Sequence, residues 1–460
     1  MIIFEKTWRT PFPVSIFDGI LFLLLLLYPL SGNPLFEFQR FQRENAPESR
    51  APMPPSSGIL QQYSGLSTIQ KYFFLESYFH AREHPISKPT ILVNASESQI
   101  QNYLNLHPVE VIAEVPERDI YAVRVPNQFT IPQFLDLSRQ SNPGIHFEEN
   151  DLLILNQPEA KGGKIGDHLR SMKWSNTKSF LSTNLAKVPR RIKVGILDSG
   201  ISPHYDLPVS AQGEIDENGH GTHVAGIVSA LQNNDRGIDG MTELADLKVY
   251  KILNHTGAGS AVELISALVQ AQREGCHIIN LSVGSYRYSK LLFQTLTDLA
   301  RDGIIMIAAA GNESTDKPSY PASHPFVLGV GSYKTKRQIS EFSNFGNSNL
   351  MISLPGENII STYINEQLKS LSGTSMAAPM LTGIMVEILA RLKEQPDPGL
   401  IVEIFRLHRA GSNAKYGVQH APLDFELLWK LIDTNLTKSG IKEKPKKASP
   451  GSLGPSFPRQ

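Results

Sequence analysis

Four segments of the sequence hold polar side chains in settings that could do nucleophilic chemistry. The apolar stretch Ile192 to Leu197 ends on Asp198, followed by Ser199 and Gly200. A carboxylate at the C-terminal end of a buried strand is where open α/β sheets put their chemistry. His220 stands between Gly219 and Gly221, ahead of His223 and an apolar helical run. The run from Gly303 to Ala310 reads as another buried strand and turns at Gly311 and Asn312. Ser375 follows Gly373 and Thr374 at the start of a long apolar helix. Singly, each has a plain structural role: a turn residue for Asp198 and Asn312, a helix-flanking imidazole for His220, an N-cap for Ser375. Together they make an acyl-transfer set. Ser375 would attack a carbonyl, His220 would take and return the proton, and Asp198 would hold the imidazole tautomer. The Asn312 amide and the Ser375 N–H would meet the oxyanion. Glu214, Asp216 and Glu217 cluster just ahead of His220 and are expected to act on it by charge.

In order and in context these segments resemble the subtilisin-like serine protease family, whose triad runs Asp, His, Ser along the chain. The matching stretches are Asp198 to Gly200, His220 to Gly226, Ala309 to Asn312 and Gly373 to Pro379, with further likeness at Ile279 to Gly284 and Phe342 to Gly346. The chain departs from the pattern at Met380, where many members carry histidine. The resemblance implies a central, mostly parallel sheet flanked by helices, peptide substrates, and catalytic roles for Asp198, His220, Ser375 and Asn312. It also implies that Leu281, Ser282, Val283 and Gly284 form an edge strand beside which a peptide adds. Ala308, Ala309, Ala310 and Gly311 would line a wall of the pocket for the residue before the scissile bond. Glu313 and Asp316 lie on the nearby loop, so a basic preference stays open beside a broad or apolar one. The segment Leu231 to Gly240 resembles a calcium loop, with Asn234 and the more distant Asp206 as ligands of a structural Ca2+; an uncharged turn is the alternative. His223 matches a structural position.

Other elements must position this set. Between residues 90 and 157, apolar alternation and helical spacing give the order β-α-β-β-α-β. The resemblance makes this α+β unit an inhibitory prodomain, acting on its own chain until self-cleavage between about Leu155 and Gly166. The catalytic domain is expected over 165–435. Ahead of both, Lys6 and Arg9 precede the apolar run Ile20 to Leu30, followed by Ser31 and Gly32. Residues 1–32 therefore read as an export signal, with an uncleaved membrane anchor as the alternative. Residues 33–89 form a linker and extension whose first half is proline-rich, and 439–460 a flexible, lysine-bearing tail.

Composition bounds the rest. Lys+Arg 44 against Asp+Glu 44 in 460 residues argues against nucleic-acid binding. One cysteine, Cys276, excludes an internal disulfide, and its apolar context reads as packing. The expected protein is a secreted or periplasmic serine endopeptidase made as an autoprocessed zymogen. Its partners would be protein or peptide substrates and its own prodomain, with membrane contact only through the N-terminal segment. The alternatives are a catalytically silent protease-like binding protein and a membrane-anchored processing protease.

Overall fold

A computed structural model describes residues 89–155, 157–160, 162–184, 189–346 and 350–438. The signal segment, the extension to residue 88 and the tail lie outside the described residues. The described residues begin with β1 (Thr90–Asn94), α1 (Glu97–Leu106), β2 (Val111–Val115), β3 (Ile120–Arg124), α2 (Ile131–Ser141) and β4 (His146–Glu149). Both helices start on capping boxes, Ser96 with Gln99 and Thr130 with Gln133, which satisfy backbone donors that the first turn leaves open. The strands form a four-stranded sheet in the order β2-β3-β1-β4. Tyr103, Phe134 and Phe147 fill the space between this sheet and its helices.

The next strand, β5 (Leu152–Ile154), leaves that sheet. Leading through α3 (Asp167–Ser171) and α4 (Trp174–Asn184), the chain enters the larger α/β body. There follow β6 (Ile192–Asp198), β7 (Gln212–Gly213), α5 (His220–Ser229), β8 (Ala245–Lys251), β9 (Ala258–Ser260) and α6 (Ala261–Arg273). The body continues with β10 (Ile278–Leu281), α7 (Lys290–Arg301), β11 (Ile305–Ala309), β12 (Val327–Thr335), β13 (Gln338–Ile339) and β14 (Leu350–Pro355). The hairpin β15 (Ile359–Tyr363) and β16 (Gln367–Leu371) precedes α8 (Thr374–Leu389), α9 (Pro398–Tyr416) and α10 (Phe425–Lys438).

The large sheet has eight strands in the order β13-β12-β11-β10-β6-β8-β7, with β14 joined to β12. All its pairings are parallel except β12 with β13. Continuous apolar runs such as Ile305–Ala309, buried at every residue, are the signature of strands covered on both faces. One layer of core lies against α5 and α8, the other against α6 and α7. The expected edge strand is corrected here: β10 lies between β6 and β11 at the centre of the sheet, and Leu281 is wholly buried.

The small domain docks on the α6–α7 layer. Leu92, Val115, Ile120 and Ala122 share one apolar cluster with Ala261, Leu264 and Leu291. Its acids and amides also serve the helix ends. Asn150 Oδ1 accepts from Val262 N at 3.1 Å, and Glu148 accepts from Lys290 N at 3.1 Å and Ser289 Oγ at 2.5 Å. These are first-turn donors of α6 and α7, where a carboxylate also meets the positive end of the helix dipole. Arg287 pairs with Glu149, and its Nε lies 3.7 Å from Asp151.

Candidate active site

Asp198 closes β6 and is fully buried, as is His220 in the first turn of α5. His220 Nδ1 lies 2.7 Å from Asp198 Oδ1. Since a carboxylate accepts, Nδ1 carries the proton and Nε2 keeps its lone pair. No hydrogen-bond partner reaches that Nε2 among the described residues. Glycine makes the approach of these two elements feasible. A Cβ on Gly221 would stand 2.2 Å from the Gly200 carbonyl oxygen, and Gly219 holds φ at +96° with the Tyr363 ring against it.

Ser375 is the second residue of α8 and 7% exposed. Pro379, inside the same helix, has no N–H to give to the Ser375 carbonyl four residues back. That carbonyl instead accepts from Ser282 Oγ at 3.2 Å, while Ser375 Oγ donates to the Ser282 carbonyl at 3.1 Å. Ser282 thus fixes the start of α8 against the end of β10. Asn312 is oriented from the other side. Its Oδ1 accepts from Thr374 N at 2.8 Å and from Thr374 Oγ1 at 2.9 Å, which assigns the amide nitrogen to the opposite side of the group. Thr374 was not singled out by sequence; its place between Gly373 and Ser375 was the available signal.

The remaining candidates divide. Leu281, Ser282, Ala308, Ala309 and Ala310 are buried, whereas Gly284 and Gly311 are partly exposed. Val283 is also buried. Glu313 accepts from Asn344 Nδ2 at 2.9 Å and from Tyr286 Oη. Burial, then the adjacent Glu313, holds the Tyr286 phenol far above its ordinary range. Of the acids ahead of His220, Glu214 is exposed and Glu217 pairs with Lys251 at 2.8 Å, while Asp216 is buried. His223 donates from Nε2 to the Ile359 and Lys369 carbonyls at 3.1 and 3.0 Å, and burial pushes its pKa down to about 3, as suits a structural imidazole. Cys276 is buried beside Tyr250, with its thiol pushed up by burial.

Asp206 and Asn234 meet, but as a closed pair. Asn234 Nδ2 donates to Asp206 Oδ1 at 2.7 Å, Ile238 N to Asp206 Oδ2 at 2.6 Å, and Arg236 N to Asn234 Oδ1 at 3.2 Å. Each side-chain oxygen of the pair is engaged by a protein donor, and the Arg236 guanidinium sits 5.3 Å from the Tyr205 ring centre. Among the described residues no group of three or more His, Cys, Asp or Glu could hold a metal. Calcium takes six to eight oxygens, backbone and amide carbonyls among them, which is more than this pair alone supplies.

Residues 190–400 match the model of the subtilase family. M-protease of Shouchella clausii is 31% identical over 339 residues, which cover 71% of this chain and 86% of that protein. The chain belongs to the subtilase family. Subtilisin Savinase of Lederbergia lenta is 37% identical to this subtilase over 215 residues, covering 45% of the chain and 77% of the relative. The minor extracellular protease Epr of Bacillus subtilis is 35% identical over 218 residues, covering 45% of the chain and 33% of the relative. Fervidolysin from Fervidobacterium pennivorans, described as a keratinolytic enzyme related to subtilisin, shares the fold with a TM-score of 0.62 at 20% identity. That match covers 75% of this chain and 61% of the fervidolysin chain. This subtilase is a serine-type endopeptidase with the subtilisin-like α/β fold.

Proposed function

We propose that this subtilase is a secreted endopeptidase, made as an autoprocessed zymogen, that cleaves peptide bonds through Ser375, His220 and Asp198. The observation that carries the reading is the 2.7 Å contact of His220 Nδ1 with buried Asp198, which leaves Nε2, without a hydrogen-bond partner among the described residues, to act as the base. When substrate enters, the Ser375 hydroxyl leaves the Ser282 carbonyl and gives its proton to His220 Nε2 as Oγ attacks the peptide carbonyl. Asp198 stabilises the imidazolium that forms. The oxyanion is met by the Asn312 amide and the Ser375 N–H. His220 then protonates the leaving amine, and water hydrolyses the acyl-enzyme by the same steps with Ser375 as leaving group.

Residues 90–157 act as the prodomain in this reading. β5 pairs antiparallel with β9, Leu155 N donates to the Gly257 carbonyl at 2.9 Å, and a Cβ on Gly373 would come within 3.7 Å of the Pro158 ring. The connecting chain thus runs from a substrate-like strand to the neighbourhood of Ser375. Residues 1–32 would serve as the export signal, in keeping with the extracellular relative named above. The test is a serine-directed fluorophosphonate probe followed by peptide mapping. Labelling of wild type on Ser375, absent from Ser375→Ala, supports the assignment; labelling elsewhere or none would sink it.

A further inference from the structure

Asp216, four residues ahead of His220, has no place in the mechanism above, yet its carboxylate is more fully engaged than any triad member. It is 3% exposed and pairs with no cation among the described residues. A buried charge in that condition needs donors all round. Oδ1 accepts from Asn218 N at 3.0 Å, Gly219 N at 2.8 Å and Ser199 Oγ at 2.9 Å. Oδ2 accepts from Thr222 N at 2.9 Å and Thr222 Oγ1 at 2.7 Å. One carboxylate therefore ties the loop before His220, the first turn of α5, and the residue that follows Asp198.

The Ser199 contact gives this network a role beyond folding. Ser199 Oγ has one proton and two acceptors in reach, Asp216 Oδ1 at 2.9 Å and Asp198 Oδ1 at 3.3 Å. Its lone pair accepts from Gly221 N, next to His220, at 2.9 Å. Asp198 Oδ1 already accepts from His220 Nδ1 and from Ser199 N at 2.8 Å. By drawing the Ser199 proton to itself, Asp216 leaves that oxygen to the imidazole. We propose that Asp216 is a positioning residue for hydrolysis, fixing the Asp198–His220 pair through Ser199 and the Gly219–Thr222 turn. The inference rests on the triad reading above.

The experiment compares wild type with Asp216→Asn. The amide cannot accept at both ends, so either the Ser199 proton loses its acceptor and turns toward Asp198, or the Thr222 donors in the first turn of α5 lose theirs. On a peptide substrate, kcat should fall about 10²-fold with KM within about twofold, the scale on which a small misplacement of a catalytic group acts. The low-field proton resonance of the His220–Asp198 hydrogen bond, identified by its loss in His220→Ala, should move or broaden. A folded Asp216→Asn protein with kcat within about twofold of wild type, or with lowered kcat and that resonance unmoved, would overturn the proposal. Should Asp216→Asn not fold, Ser199→Ala removes the same proton, together with the acceptor of Gly221 N, while Asp216 keeps its bonds to Gly219 and Thr222: a kcat drop of about tenfold supports the proposal, and a wild-type kcat overturns it. Wild type that neither turns over nor labels defeats the triad reading instead, an outcome read before any variant is compared.

Discussion

At the site, residues act in pairs that hold each other to one geometry. Ser282 and Ser375 exchange hydrogen bonds because Pro379 frees the Ser375 carbonyl, and Thr374 grips one end of the Asn312 amide. Asn312→Ala should lower kcat by about 10²–10³-fold with little change in KM, the cost known for removing this donor from a subtilisin. Steady-state kinetics on a peptide substrate checks it; an unchanged kcat would mean that another group meets the oxyanion. Thr374→Val keeps the backbone donor and loses the hydroxyl, which also accepts from Gly311 N at 3.1 Å, so a smaller loss of about tenfold in kcat is expected in the same assay. Asp198, His220, Asn312 and Ser375 were legible in the sequence because glycines flank them and apolar runs lead to them. Thr374, Ser199 and the tie from Asp216 were not. Their partners stand as far as 63 positions away, and a single serine or threonine carries no local mark of what it will touch. Asp206 and Asn234, paired in the sequence as residues whose types suit calcium, do meet in the fold, with their oxygens engaged by protein donors.

Among the elements, the β-α-β-β-α-β succession of the small domain followed from periodicity, because each period reports which faces are buried, while the mostly parallel large sheet followed from the family resemblance. The place of β10 did not, because a short, fully buried strand looks alike at the centre and near the edge. Helix ends carry two expectations. Arg287 answers Glu149 and Asp151 from the small domain, and burial holds the Glu149 carboxyl above its usual range despite the guanidinium. Arg287→Ala removes this guanidinium from the two acids, so the isolated small domain added in trans should inhibit the variant about tenfold less well than wild type. Equal inhibition would show that the apolar contacts carry the interface alone. The second expectation concerns buried imidazoles. Burial brings His168 in α3 and His408 in α9 down to about 4, and His408 Nε2 accepts from Asp424 N at 3.1 Å, which requires it neutral. The unfolded chain takes up protons as pH falls through about 6.5, whereas the folded chain does not until about 4. Their contribution is therefore complete above about pH 6.5 and drains away between there and about 4, by a few kcal/mol per imidazole at most. Denaturant titrations of Ser375→Ala at pH 7 and pH 4.5 should show this fall, and His168→Leu should show a shallower one; equal slopes would rule out His168 as a contributor.

For the whole molecule, the path of the chain between its two domains bears on how activity begins. The small domain leaves its own sheet through β5, which pairs with β9 of the larger body, and Leu153 is buried in that body's core. A strand that adds to the body by main-chain hydrogen bonds occupies it as a substrate would, with shape read along the backbone. After Leu155 the chain reaches Pro158 beside Gly373, two residues before Ser375. In the proposed zymogen, intramolecular attachment would keep the effective concentration of this segment high until the connection is cut. After such a cut, the small domain would be held by its interface alone and would depart at a finite rate. Intact-mass analysis of purified protein should find wild type split, with a new N-terminus between about Leu155 and Gly166, and Ser375→Ala uncut. Activity should rise with a lag that shortens when the released small domain is degraded by an added protease that spares the larger body. A Ser375→Ala protein cut at the same place would assign the cleavage to another enzyme, and wild-type activity without any cut would remove the small domain's inhibitory role.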